Sequence, residues 1–521
     1  MLDIKMIRTD GEKVKERIRK REMNLDSIVD EILDIDKKRR ELTGEVESKK
    51  AEQNADSKKI PQLKKAGEDT APLMERMKAL SAEIKEGDAK LAELEEKQKD
   101  LLLSLPNLPD EDVCAGGKEQ NQPIRYFKEQ PKFDYEPKNH VELCEGLGMI
   151  DYQRGAKIAG AGSWLYRGWG SRLEWALLNF FVNEHIKDGY EFILPPHMLG
   201  YECGYVAGQF PKFGDEVYWI ENPTSSDRKF MLPTAETALV NIHRDEILSE
   251  EDLPRKYIAY TPCYRREAGS YRAEERGMIR GHQFNKVEMV QYTTEDQSDA
   301  AFEELVGKAE RLVQELGLHY RLSKLAAGDC SFSMARTYDI EVWIPSMGIY
   351  KEVSSASNAR DYQARRGNVK YRGADKKLHL AHTLNASGLA TSRVIPAIVE
   401  QYQNDDGSVY YDVTIRDDLT FSDGTPITID DVIFSMYVYC DPTYDGSATL
   451  YSQPILGLEE YREGMATLAS LIAAAGEDNT DFSLWTEDQQ TAFWAAVNDG
   501  GTAFAQEIVD YMAENGATDV T

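Results

Sequence analysis

The sequence predicts an α+β protein in three parts: an N-terminal antiparallel coiled-coil hairpin, a largely antiparallel β-sheet flanked by helices, and an acidic C-terminal appendage. Three observations carry this expectation. Apolar residues recur on a 3.5-residue beat between residues 28 and 105, and short alternating runs cluster between residues 257 and 353. The charge balance then breaks near residue 404.

Ile28, Ile32, Ile35, Leu42 and Val46 advance by four, three, seven and four positions. Leu73, Met77, Leu80, Ile84, Leu91, Leu94, Leu101 and Leu105 keep the same beat. The polar stretch Gln53–Thr70, which contains Pro61, interrupts it and predicts the turn, and Pro106 and Pro109 close the second helix. Between Asp36 and Ile60 eight cations (Lys37, Lys38, Arg39, Arg40, Lys49, Lys50, Lys58 and Lys59) stand among six acids. On charge alone this is a solvated coiled-coil surface; a phosphate-tracking arm is the functional alternative.

A proline- and glycine-bearing linker over residues 110–137 leads into the second part, residues 138–408. An amphipathic helix around Leu173, Leu177, Phe180 and Phe181 runs into the strand and prolines of Tyr190–Pro196. Strands are predicted at Tyr257–Tyr260, Val287–Tyr292, Ile340–Ile344 and Ile349–Val353. The segment Cys263–Glu288 reads as strand, charged loop, strand. Arg265 and Glu267 lie two apart and are expected on one strand face, as are Phe284, Lys286 and Glu288. A face of arginines, carboxylates and one aromatic is a poor core and a good binding floor. Arginine suits phosphate and carboxylate, an aromatic suits a nucleobase, and glutamate suits an ammonium, a hydroxyl or Mg²⁺.

Composition narrows the class. No apolar run reaches membrane-spanning length, and the start, MLDIKMIRTDGEKVK, lacks the apolar core of a secretory signal. Six scattered cysteines without a CxxC pair suit a reduced, cytoplasmic protein with no zinc ribbon, and His379 and His382 read as structural. Residues 404–521 hold 23 acids against Arg416 and Arg462, a net −21, whereas residues 1–403 hold 68 acids and 60 bases. Such a break suggests two origins.

Arg265-Arg266-Glu267 resembles the second signature motif of class II aminoacyl-tRNA synthetases, and Gly388-Leu389-Ala390 with Arg393 resembles the third. Thr234-Ala235-Glu236, His282–Glu288, Glu352-Val353-Ser354-Ser355 and Asn385-Ala386-Ser387 narrow the resemblance to bacterial-type seryl-tRNA synthetases, over residues 1 to about 408. Singly, an arginine–glutamate pair is an ordinary ion pair and Thr-Ala-Glu an ordinary helix cap. In one order and frame they are far more specific.

The resemblance implies an ATP- and Mg²⁺-dependent activation of L-serine, with no zinc, followed by transfer to serine tRNA and to selenocysteine tRNA. It implies that Arg265, Arg393 and Glu352 carry the chemistry. Arg265 would bridge the serine carboxylate and the α-phosphate, and Arg393, helped by Arg280, would hold the γ-phosphate. Phe284 would stack on adenine and Glu267 would fix its amino group. Arg266, Val353 and Ser354 belong to the same ATP-binding strings, and Glu352 with Ser355 would hold Mg²⁺. Thr234, Ala235, Glu236, Arg265, Glu288, Asn385 and Ser387 would read serine. Residues 1–109 would form the tRNA-gripping arm through the eight cations above, and the helix before Tyr190 would meet a homodimer partner.

The resemblance stops at Asn404–Val409. The text from Tyr410 resembles a fragment of family 5 extracellular solute-binding proteins. It predicts a strand at Tyr410–Ile415, a turn at Asp423-Gly424 with Pro426 following, and a helix capped by Thr428 and Asp431. Further helices are expected at Met465–Ala475 and Ala503–Ala513. Residues 409–521 are too few for a two-lobed binding cleft, so the appendage reads as an incomplete α/β piece joined by accident. The alternatives are a catalytically impaired chimera, a non-catalytic synthetase-like binding protein, and a chain whose tail is the working module.

Overall fold

The computed structural model describes residues 1–221, 228–267, 277–407, 418–440, 491 and 495. The chain divides into two units, Met1–Tyr410 and Tyr411–Thr521.

In the first unit, short helices α1 (Ile4–Thr9) and α2 (Gly11–Arg19) precede the long pair α3 (Asp26–Ala66) and α4 (Ala71–Ser104). The beat is buried between them at Ile32, Ile35, Val46, Leu80 and Ile84. Gly87 is needed there, since a Cβ would stand 2.5 Å from Val46 Cγ2. The expected turn at Gln53–Thr70 is corrected: α3 continues through Pro61 to Ala66, and only the last four residues turn. Asp56 is buried between Lys59 and Arg76 of α4, so this stretch still has packing to make. The helix stops at Gly67, whose φ of 76° lets Gly67 N and Glu68 N donate to the carbonyls of Lys64 and Leu63. Glycine, not proline, ends it. The second helix stops at Ser104, before Pro106, as expected.

The arm is rooted by charge. Buried Asp36 accepts from Arg8 at 2.8 Å and Arg40 at 2.9 Å, which joins α1 to α3. The buried Arg21 guanidinium donates to the carbonyls of Asn107, Cys330 and Ala327 at 2.9, 2.9 and 3.2 Å. With Ser331 and Met334 also accepting, five main-chain carbonyls around one planar fork fix the arm's base on the body.

The body is built on eight strands: β1 (Gln122–Phe127), β2 (Glu191–Phe192), β3 (Arg255–Tyr264), β4 (Gln283–Thr293), β5 (Tyr320–Lys324), β6 (Arg336–Ile344), β7 (Ile349–Arg360) and β8 (His382–Ala390). Their order is β1-β5-β6-β7-β8-β4-β3-β2, antiparallel except for the edge pair β2–β3. The four strands predicted between Tyr257 and Val353 are present, with equal or longer bounds, while the strand expected within Tyr190–Pro196 is confined to Glu191–Phe192. Helices α5 (Gly168–Lys187), α6 (Ser298–Glu315), α7 (Tyr362–Gly367) and α8 (Thr391–Gln401) flank the sheet. Leu177, Phe181, Phe302, Leu305, Val287, Met289, Ile340, Val394 and Ile395 share one core. Into that core α5 sends a carboxylate: Glu174 accepts from Asn285 of β4 and from Thr391 of α8, both at 2.7 Å. Burial pushes the Glu174 carboxyl up from its ordinary value. Three elements are thereby pinned at one atom, Oε1.

In the second unit, Gly424 has φ 88° in the expected turn, where Phe421 N donates to Thr425 O at 2.8 Å. Helix α9 (Ile429–Cys440) follows. Asp431 accepts from Thr428 N at 2.7 Å and Thr428 Oγ1 at 2.8 Å, closing the expected cap. The strand expected at Tyr410–Ile415 and the helices at Met465–Ala475 and Ala503–Ala513 lie outside the described residues. No helix among the described residues is long and apolar enough to cross a membrane.

Candidate active site

A cleft of about 800 Å³ opens over β4, β6, β7 and β8, with an adjoining recess of about 60 Å³. Its lining includes Arg265, Glu267, Arg280, Lys286, Glu288 and Arg393. Phe284, Lys286 and Glu288 share one face of β4, as their spacing predicts. The strand reading of Arg265 and Glu267 is corrected. β3 ends at Tyr264, and Glu267 has a left-handed φ of 49°. The two side chains reach one cleft through a turn and not through strand alternation. Arg265 Nε donates to Pro233 O at 3.2 Å, and its guanidinium carbon stands 5.1 Å from the Phe284 ring centre. Arg280 donates to Glu267 Oε2 at 2.9 Å. Arg266, expected beside them, turns outward, and its guanidinium donates to Asp215 O at 3.1 Å.

At one end the cleft closes around two carboxylates. Glu236 accepts from Gln363 at 2.7 Å and from Asn385 at 3.3 Å, and Asn385 Nδ2 also donates to Glu288 Oε1 at 3.1 Å. Lys286 Nζ meets Glu288 Oε2 and donates to Thr234 Oγ1 at 2.8 Å. Burial, then the nearby Glu288 charge, push the Glu236 carboxyl up to about 7. Ser387 lines this end as well. Ala235 does not: its side chain is packed in a core with Leu239 and Tyr257.

Glu352 and Ser355 lie three apart on β7, a spacing that ordinarily sends side chains to opposite faces. The β6–β7 register resolves this. Asp339 faces Ser355, Ile340 faces Ser354, and Glu341 faces Glu352, so Val353 is the extra residue of a bulge. Both Glu352 and Ser355 therefore line the cleft, Val353 lines the recess, and Ser354 points behind the sheet, donating to Ser387 O at 2.5 Å. Asp339 also lines the cleft; burial, then Glu352, hold its carboxyl well above the ordinary range. Arg393, in the first turn of α8, donates to Glu352 O at 2.8 Å and to Ile279 O at 3.2 Å. Gly388 is required below it, because a Cβ would come within 2.3 Å of His185 Nε2. Burial pushes His185 down to about 4, so it is neutral at pH 7.

The structure brings Thr234, Glu236, Arg265, Glu267, Arg280, Phe284, Glu288, Glu352, Ser355, Asn385, Ser387 and Arg393 into one connected space. Sequence reasoning assigned no role to Lys286, Gln363 or Asp339. Strand alternation placed Lys286 on the right face, but its partner Thr234 is 52 positions away. Only the β6–β7 register brings Asp339 into view.

On the arm, most candidate cations already have partners. Lys38 pairs with Asp34 at 2.6 Å, Arg39 with Asp36 at 3.6 Å, Arg40 with Asp36 at 2.9 Å, and Lys59 with Asp56 at 2.8 Å. Lys49–Glu83 and Lys50–Asp88 join α3 to α4 at 2.9 and 2.8 Å. Lys37 and Lys58 are exposed, with no ion pair among the described residues. His379 bonds Asp375 at 3.0 Å, while His382 is buried at the start of β8.

Comparison with known proteins adds the lineage. Residues 1–109 match the seryl-tRNA synthetase N-terminal domain, and residues 218–402 match the class II tRNA synthetase core domain (G, H, P, S and T). Residues 393–497 match the middle region of family 5 bacterial extracellular solute-binding proteins. The chain is 59% identical over 419 residues to serine–tRNA ligase 2 of Clostridium acetobutylicum, covering 80% of this chain and 98% of that protein. It is 45% identical over 419 residues to the serine–tRNA ligase of Fervidobacterium nodosum, covering 80% and 97%. The crystal structure of a Pyrococcus horikoshii seryl-tRNA synthetase complexed with ATP superposes with a TM-score of 0.74 at 34% identity, covering 78% of this chain and 96% of that one. With the arm, the antiparallel sheet and the motif-bearing cleft in place, the chain belongs to the seryl-tRNA synthetase family of class II aminoacyl-tRNA synthetases.

Proposed function

We infer that this chain is a serine–tRNA ligase: it activates L-serine with ATP to seryl-adenylate and passes the seryl group to serine tRNA, and to selenocysteine tRNA. The observation that carries this reading is one cleft with Arg280 and Arg393 at one end, the Glu236–Glu288 pair at the other, and Arg265 between them. The serine carboxylate attacks the α-phosphate and expels pyrophosphate. Both reactants are anions, so the step needs fixed positive charge and alignment more than a general base. Arg265 stands between the two ends and is assigned the bridge from serine carboxylate to α-phosphate. Arg393 and Arg280 take the outer phosphates, Phe284 the adenine face, and Glu267 its amino group. The carboxylate end takes the serine ammonium and hydroxyl. Because those acceptors are buried, an amino acid without the hydroxyl leaves one of them unpaired, at about 1–3 kcal/mol.

Glu352 and Ser355 are assigned to Mg²⁺. Both offer hard oxygen, and the buried Asp339 Oδ1 alongside has no hydrogen-bond partner, which suits a nearby cation. When bound, the metal would neutralise phosphate charge. The arm, residues 1–109, is assigned to tRNA, with exposed Lys37 and Lys58 added to the paired cations. A homodimer is proposed on the outer side of α5 and β2, where Trp169, Trp175, Phe192, Leu194 and Met198 are exposed. We place the protein in the cytoplasm and read the residues beyond 408 as a joined solute-binding fragment, supported by the match at 393–497.

The test is amino-acid-dependent ATP–pyrophosphate exchange on the full-length chain with serine, threonine, alanine and cysteine. Strong exchange with serine alone is expected. No exchange from the full chain but strong exchange from residues 1–409 would identify the tail as inhibitory. Silence from both would overturn the assignment.

A further inference from the structure

The carboxylate end of the cleft contains two glutamates with different surroundings. Glu288 has Lys286 on one oxygen and Asn385 on the other. At hydrogen-bond distance, among the described residues, the Glu236 side chain meets only the neutral amides of Gln363 and Asn385. Lys286 is itself almost fully buried, held by Thr234 and Glu288, and an ammonium in that setting needs its acceptors as much as they need it.

Resting on the proposed function, we propose that Lys286 is a positioning residue for serine. Its ammonium neutralises Glu288 and orients Thr234, which leaves Glu236 as the carboxylate that receives the substrate's own ammonium. The arrangement divides two like charges between two cations, one built in and one delivered. Without Lys286, Glu236 and Glu288 would compete for the single ammonium of serine, and one of them would take up a proton instead. Lys286, Arg265, Glu288, Gln363 and Asn385 are the groups that face Glu236, so the balance is set locally. Among the described residues Lys286 bonds Thr234 and Glu288 and no phosphate-end group, and its loss should therefore be felt more in serine recognition than in ATP recognition.

The experiment measures serine- and ATP-dependent exchange on the full-length wild type, K286M and K286R between pH 6 and 8.5. K286M is expected to raise the KM for serine about 10- to 100-fold, with the KM for ATP held within about threefold. The serine KM of K286M should climb more steeply than wild type as pH falls, since the unneutralised pair takes up a proton. K286R should recover part of the serine affinity. A K286M serine KM within about twofold of wild type overturns the role. So does a parallel loss in serine and ATP that K286R does not repair, because that marks a merely structural lysine. A wild type without serine-dependent exchange overturns the proposed function and this role together, whereas an active wild type with an indifferent K286M overturns the role alone.

Discussion

The helical arm and the cleft both contain lysine–glutamate pairs, and the pairs differ in what surrounds them. Lys49 and Glu83 keep 38% and 54% of their side chains exposed; Lys286 and Glu288 keep 7% and 1%. On the arm, water and salt already solvate each charge, so a pair steers the register of two helices and adds little else. In the cleft each charge has given up its water, and the partner stands in for that lost solvation. The same two residue types make a surface in one place and a recognition device in the other.

The sharpest way to break this contrast is Arg265→Lys. If buried charge works through fixed geometry, a lysine cannot replace the planar fork between carboxylate and phosphate, and serine-dependent exchange should fall about 1,000-fold with the fold intact. A loss under about tenfold would mean that the cleft needs only net charge.

Next in size is a pH effect at Glu236. Its folded pKa of about 7 lies above the ordinary 4.5, so between those values the folded chain holds a proton that the unfolded chain lacks. Stability of the unliganded protein therefore falls as pH rises through this window, and the full cost of the buried charge is present above pH 7. Glu236→Gln should raise Tm at pH 8 by about 2–5 °C and change it little at pH 4.5, while serine should cease to raise Tm in that variant. Equal shifts at both pH values would remove the titration from the account.

The smallest expected effect is on the arm. Lys37→Ala with Lys58→Ala should raise the KM for serine tRNA about 3- to 10-fold, more at low salt than at high, and leave pyrophosphate exchange unchanged. Lys50→Ala, which removes a cation already held by Asp88, should do less. A reversal of that order would show that paired cations also track phosphate.

What the sequence made legible was whatever repeats or alternates. The heptad beat located both long helices, and period-two spacing put Phe284, Lys286 and Glu288 on one face. Contiguity misled where the backbone turns or sidesteps. Arg266 sits beside Arg265 and faces away, Ala235 sits beside Glu236 and packs in a core, and Ser354 sits beside Ser355 behind the sheet. Proline at 61 suggested a turn that glycine at 67 makes. Lys286 and Asp339 escaped because their meaning lies in partners across the fold, Thr234 for one and Ser355 for the other.

The bulge at Val353 bears on which sequence changes this strand survives. Replacing Val353 alters one side chain in a narrow recess, and several apolar residues would serve. Removing it is a different kind of event: Glu352 then lies two positions from Ser355, a regular alternation against Asp339 and Glu341 that keeps both on the cleft face, and what the strand loses is the local bend of the bulge and the side chain in the recess. The four letters Glu-Val-Ser-Ser thus carry a bend as well as a chemistry. At this point in the chain, a one-residue shortening is absorbed by the register with the neighbouring strand.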